Sequence, residues 1–154
     1  MSAQVVKVDS WSDSAAGIIE GVRPLIPPGD YQLAFVGHHT MIFCRAPKVA
    51  LRFRVIDQGP HFGTELERFY NVRRLVGKQG KNGKFKIGAS SDLLLEFCRC
   101  APDRVARLDR LPITALKQHI VIGEVHTVDR NRNQVELPEP LRYSVIKALK
   151  GVAS

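Results

Sequence analysis

Seven basic side chains stand between residues 68 and 86, in the stretch RFYNVRRLVGKQGKNGKFK, with no acid among them: Arg68, Arg73, Arg74, Lys78, Lys81, Lys84 and Lys86. Three aromatic residues, Phe69, Tyr70 and Phe85, are threaded through the same stretch, and Gly77, Gly80 and Gly83 recur three apart. Cations neutralise phosphates, aromatic faces stack on unpaired bases, and glycines let a backbone come close to a polyanion. The chemistry that suits this combination is the binding of a single-stranded nucleic acid. The competing reading is a solvated, lysine-rich hairpin tip.

Phe69 and Tyr70 are adjacent, so on a strand they point to opposite faces and at most one of them stacks. Tyr70 is the better candidate because its hydroxyl tolerates water; core packing is its competing fate. Phe85, between Lys84 and Lys86, is a second candidate for stacking. Further cations flank the segment. Arg52 and Arg54 share one face of an alternating run, about 7 Å apart along the strand. There they either track a phosphate chain or pair with Glu65, Glu67 or Asp57 across a sheet. Arg130, Arg132 and Arg142 form another basic group near residues 129–142.

The charge distribution agrees with a basic body. Of a net +8, residues 1–30 carry −2 and residues 31–154 carry +10. A basic globular surface seeks polyanions, nucleic acid first and anionic membrane second. At 154 residues with 44% hydrophobic content, one domain with a real core is expected. No apolar run reaches the roughly 18 residues of a membrane-spanning helix, and no secretion signal opens the chain. Three cysteines without regular spacing, Cys44, Cys98 and Cys100, argue against a disulfide framework and for a reducing cytoplasm.

The elements that must position these residues are mostly strands. Residues 1–28 read as a leader or arm, with Trp11 free to dock on the body, a helical turn near 17–22, and Pro24, Pro27 and Pro28 ending regular structure. Residues 29–152 read as one β-barrel domain. Alternation marks strands over 31–36 and 49–56, the latter with Val49, Leu51, Phe53 and Val55 on one face. A third strand over 65–72 loses phase near Arg68–Tyr70, which suggests a bulge. Residues 77–84 read as a loop, with a short strand at 85–87. Residues 91–100 form a helix capped by Ser90 or Ser91, with Leu93, Leu94, Phe97 and Cys98 as its apolar stripe. A helical turn at 113–117 and strands at 118–128 and 142–149 complete the order. Strands before and after one helix, with turns rich in Gly, Pro and Asn, fit a small Greek-key barrel resembling an oligonucleotide-binding fold.

The strings PPGDYQLAFV and KVALRFRVIDQGPHFGTELERFYNV, followed by SDLLLEFCR, resemble a family of phage, plasmid and mobile-element single-stranded-DNA-binding proteins. The matching positions are Gly29 and Tyr31, Asp57 and Gly59, Gly63 and Leu66, then the helix, over roughly residues 27–100. The resemblance implies an oligonucleotide-binding-type barrel and a role in replication, recombination or transfer of a mobile element. Barrels of this kind often form homo-oligomers through a free sheet edge, and such a role makes replication or recombination proteins candidate partners. Many bacterial relatives in function end in an acidic tail that recruits partners; no acid follows Glu139 here, so recruitment of that kind is not expected.

Other chemistries fit less well. Residues 76–83 (VGKQGKNG) look like the G-x-x-G loop of KH domains, but the alternating residues after Gly83 disfavour the helix that loop requires. Gly83-Lys84 is followed by Phe85, not Ser or Thr, so it is no nucleotide-hydrolysing loop. Cys98 and Cys100 point about 200° apart on a helix, and His38 and His39 diverge on a strand, which disfavours a metal site. Asp57, Glu65 and Glu67 lack the lysine a metal nuclease pairs with them. The sequence therefore indicates a non-enzymatic binder without cofactor. Its partner is single-stranded DNA, with RNA equally compatible, and binding is sequence-tolerant because charge and stacking carry little base information. A protein-binding antagonist of a host nucleic-acid enzyme is the alternative, and a metal-dependent nuclease stands third.

Overall fold

The structure is a computed structural model and describes residues 17–18, 20–104 and 110–153. The expected docking of Trp11 lies outside the described residues. The chain is mainly β. β1 (Gly29–Phe43), β2 (Ala46–Val55), β3 (Glu65–Asn71), β7 (Ile120–Val128) and β8 (Tyr143–Val152) form an antiparallel sheet in the order β3-β2-β1-β7-β8. β5 (Gly80–Lys81) adds to β1, and β4 (Arg74–Val76) pairs with β6 (Lys84–Lys86) as a separate ribbon. Among the described residues, one α-helix, α1 (Asp92–Cys100), lies between β6 and β7, with 3-10 turns at Pro102–Arg104, Ile113–Gln118 and Glu139–Leu141. This is the small Greek-key, barrel-like arrangement expected from the sequence, open between β3 and β8.

Alternation builds the core. Val49, Leu51, Phe53 and Val55 of β2 are all fully buried and meet Leu33 and Phe35 of β1, with Val121 and Val125 of β7 and Ile146 and Leu149 of β8 on the far wall. β1 is twice as long as its clean alternation suggested. A bulge between Phe35 and Gly37 shifts its phase, so His38 and Thr40 continue the inward row opposite Leu51 and Val49. β3, by contrast, has an unbroken ladder with β2 from Lys48↔Asn71 to Arg54↔Glu65. No bulge interrupts Arg68–Tyr70. The apparent loss of phase arises because the charged Arg68 occupies an inward position between Leu66 and Tyr70.

α1 compensates that charge. Ser91 caps the helix, its side chain accepting the Leu93 N–H. Leu93, Phe97 and Cys100 face the core, and so does Glu96, only 5% exposed. Arg68 donates to Glu96 through Nε at 3.1 Å and Nη2 at 2.6 Å; the Tyr70 hydroxyl donates at 2.7 Å and the Leu149 N–H at 2.9 Å. One carboxylate therefore joins β3 to β8 where no ladder does. Arg99 adds a bond to the Leu149 carbonyl and the Cys100 thiol one to the Gly151 carbonyl. At its other end the β8 edge is covered by the leader. Ser144 N–H donates to the Pro24 carbonyl, and the Ser144 hydroxyl bonds both the N–H and the carbonyl of Ile26. Around 17–22, the described residues are irregular rather than helical.

Glu96→Ala leaves a nearly buried guanidinium without its counter-charge, so it is expected to lower unfolding free energy by about 3–5 kcal/mol, with Glu96→Gln retaining part of the bonding. Urea melts of the three proteins check this. Burial, then the Glu96 carboxylate, pushes the Tyr70 hydroxyl well above the ordinary phenol range, and the same causes push Cys100 up to about 11. Both groups hold protons that the unfolded chain releases at lower pH. Stability is therefore expected to fall as pH rises past about 9 to 10, and Tyr70→Phe to flatten the decline, as read by denaturant midpoints between pH 7 and 11.

Candidate nucleic-acid interface

The β4–β6 ribbon sorts its residues by face. Leu75 opposite Phe85 packs against the core, while Arg74 opposite Lys86 and Val76 opposite Lys84 point outward. Residues directly opposite on such a ribbon have Cβ atoms about 5 Å apart, where like charges repel. Arg74, Lys84 and Lys86 are exposed and, among the described residues, none has an acidic partner. Three mutually repelling cations on one small face form a place where an anion is stabilised. Arg73 anchors the ribbon: its N–H donates to the Lys86 carbonyl at 2.8 Å and its guanidinium lies over Gly88.

Residues 77–84 dock on the distal half of β1. Lys81 pairs with His39 and Gly80 with Thr40. The His38 imidazole reaches the Gly83 carbonyl at 3.0 Å, Gly80 N–H donates to the Thr40 hydroxyl at 3.1 Å, and the Gln79 side-chain oxygen accepts the Ile42 N–H at 3.0 Å. The three glycines suit this docking. Gly77 and Gly80 have φ of +79° and +132°, and a Cβ on Gly83 would lie 1.9 Å from the Thr40 hydroxyl oxygen. Lys78, Lys81 and Lys84 are left exposed on a loop whose backbone is fixed.

The loop between β7 and β8 reaches the same hairpin from another side. Asn131 organises it by accepting the N–H groups of Asn133 and Val135. Arg130 donates to the Gln134 carbonyl, and Arg132 Nη1 lies 3.0 Å from the Cys44 sulfur at the β1–β2 turn. Arg142 is occupied by Glu136 at 3.1 Å. Three basic segments distant in sequence, around Arg45, Lys78–Lys81 and Arg130–Arg132, therefore converge on one hairpin.

Several expected contacts are not available. Tyr70 is 3% exposed with its hydroxyl on Glu96, so it is a core residue and not a stacking ring. Phe85 is half-buried, packed against the core and in a T-shaped contact with His38 at 6.1 Å, so part of its ring is already occupied. Arg52 and Arg54 do lie on the outer face of β2, but Glu65 and Glu67 neutralise them across the sheet: Arg52 to Glu67 at 3.1 Å and Arg54 to Glu65 at 2.9 Å. His39 stands 3.7 Å from Glu67 at the end of this row. Beside it, a cleft of about 300 Å³ opens between β3 and β8, lined by Arg52, Glu67, Phe69 and Val145, with residues 21–24 along one wall. The exposure of Phe43 and Arg45 at the β1–β2 turn was not legible in the sequence, because the bulge at Gly37 hid the continuation of β1 to its turn. The signal was there in the polar-to-apolar run after Gly37, once its phase is shifted by one.

Among the described residues, no group of three or more His, Cys, Asp or Glu side chains is arranged to hold a metal ion, and no helix is long and apolar enough to cross a membrane. Compared with protein-family models, with curated proteins and with solved structures, the chain matches none.

Gly83→Ala forces the loop off Thr40, with an expected loss of about 1–3 kcal/mol. Hydrogen exchange at Gly80 and Lys81 is expected to accelerate while exchange in β2 stays slow; equal rates in both proteins would show that the loop is not held by this contact.

Proposed function

We propose that the chain binds single-stranded DNA without sequence preference, as a non-enzymatic accessory to replication, recombination or transfer of a mobile element. The observation that carries the reading is the meeting of unpaired cations on one hairpin and its neighbouring ribbon. Arg74, Lys84 and Lys86 repel one another with no acidic partner among the described residues, Lys81, Gln79 next to Lys78, and Arg132 contact the β1–β2 hairpin directly, and Arg130 stands in the same loop as Arg132. Residues two apart on one face of a strand are about 7 Å apart, a spacing that lets each cation meet a separate phosphate of an extended strand. Arg52 and Arg54, held by glutamates, contribute less.

The resemblance of residues 27–100 to phage and plasmid single-stranded-DNA-binding proteins supports the same reading and supplies its process. RNA would satisfy the same cations, so DNA is the choice the resemblance favours. The protein carries no sequence code in this scheme: phosphate contacts fix position, and selectivity for unpaired strands comes from the bases that the surface can accept.

Anisotropy of a labelled dT 20-mer at 50 and 300 mM salt tests the proposal. Affinity is expected to fall steeply with salt, and Lys84→Glu with Lys86→Glu to lower it at least about tenfold and make the log–log slope shallower by about 0.7 for each lost contact. Absence of binding at 50 mM salt overturns the proposal; capture of a nucleic-acid enzyme in place of DNA would favour the antagonist reading.

A further inference from the structure

We infer that the tip of the β1–β2 hairpin is the base-contacting element, with Phe43 as the stacking ring and Arg45 and Arg132 as the phosphate contacts beside it; the inference rests on the single-strand reading above. The rings first suggested by sequence are inside or half-inside the fold, so a stacking face must come from elsewhere. Phe43 is 53% exposed and Ile42 beside it 59%. Phe43 stands opposite Ala46, whose single methyl leaves the ring largely uncovered on its cross-strand side.

The turn itself carries the second observation. Phe43 pairs with Ala46, so Cys44 and Arg45 are the two central residues of a two-residue hairpin. Both have left-handed backbones, with φ of 54° and 67°. Asn-Gly suits such a turn; non-glycine residues there are strained, and neither Cys nor Arg has the short polar side chain that eases it. A turn that holds strained residues in place of the easy ones is one where the side chains matter. Arg45 puts a cation, free of any acidic partner among the described residues, next to the ring. The sulfur of Cys44 seats Arg132 at 3.0 Å, and Gln79 ties the backbone of Ile42 to the loop that bears Lys78 and Lys81.

The remaining accessible rings lack this setting. Phe62 is 60% exposed, but its loop, residues 57–64, has Asp57 and no lysine or arginine. Phe69 is half-buried beside the Arg52–Glu67 pair, where the cation is already neutralised. Of the two exposed phenylalanines among the described residues, Phe43 is the one with unneutralised cations beside it.

Two substrates of equal length separate stacking from charge: a dT 20-mer and an abasic deoxyribose-phosphate 20-mer. Phe43→Ala is expected to weaken dT binding about five- to 150-fold, the equivalent of one base stack, and to leave abasic binding unchanged; Phe43→Tyr is expected to restore dT binding. Cys44→Asn with Arg45→Gly is expected to raise the urea midpoint and make the salt slope shallower by about 0.7. If Phe43→Ala binds dT as the unaltered protein does while the Lys84→Glu, Lys86→Glu variant does not, the bases lie elsewhere: the inference is overturned and the single-strand reading stands. Equal loss on both substrates would make Phe43 a structural residue and overturn the inference. An unaltered salt slope in the turn variant overturns the role given to Arg45. Phe43-dependent sedimentation with phosphatidylserine vesicles, without an effect on dT, would assign the tip to a membrane surface and overturn it as well. Failure of the unaltered protein to bind dT at 50 mM salt removes the underlying reading.

Discussion

A single buried carboxylate decides whether this sheet holds its curvature. Glu96 accepts hydrogen bonds from Arg68 and Tyr70 on one edge strand and from the Leu149 N–H on the other. Each donor would be costly to bury alone, and Arg68 most of all. Together they let α1 stand in for the ladder that β3 and β8 lack, with Arg99 and Cys100 covering two carbonyls of β8. The ribbon part of the proposed binding surface follows from the position of that edge, because β4 begins at Arg74, shortly after β3 ends at Asn71. The same contact removes Arg68 from the basic surface, although it opens the acid-free stretch of sequence.

The cations of this protein fall into two populations with different physics. On the sheet, Arg52 and Arg54 face Glu65 and Glu67 across the ladder, and an exposed pair of this kind contributes little to stability and leaves little free charge. On the ribbon and hairpin, no acid among the described residues answers Arg74, Lys84, Lys86, Lys78 or Lys81. The fold tolerates their repulsion because Leu75 and Phe85 fasten the ribbon from below and Gly83 fastens the loop from the side. Rigidity matters here: charges held on a fixed backbone lose less entropy when an anion arrives than charges on a floppy tip.

Much of this was legible in the residues. The alternation of Val49, Leu51, Phe53 and Val55 identified β2 and its faces, and Ser91 with the following apolar stripe identified α1. The location of unpaired positive charge on residues 73–86 was also readable, since an acid-free run cannot neutralise itself locally. What the pattern hid were features that depend on distant partners. Arg68 looked like a break in β3 because its partner, Glu96, lies 28 residues away. β1 looked half its length because one bulge reversed its faces. The fate of each ring depended on what lay across from it: Glu96 for Tyr70, His38 and the core for Phe85. Nothing in the proline-rich leader announced that Pro24 and Ile26 would settle on Ser144, a contact spanning 118 residues.

That last distance has a consequence for how the molecule is made. Ile26 must wait for Ser144, and Glu96 for a strand 53 residues further on, before either finds its partner. Such long-range closure makes folding slow relative to chains dominated by local contacts. A ribosome-bound intermediate would carry β1, β2 and β3 with one edge bare and Arg68 still wet. Until β8 arrives these contacts cannot close, and in that interval the nascent chain is exposed to pairing with a neighbour.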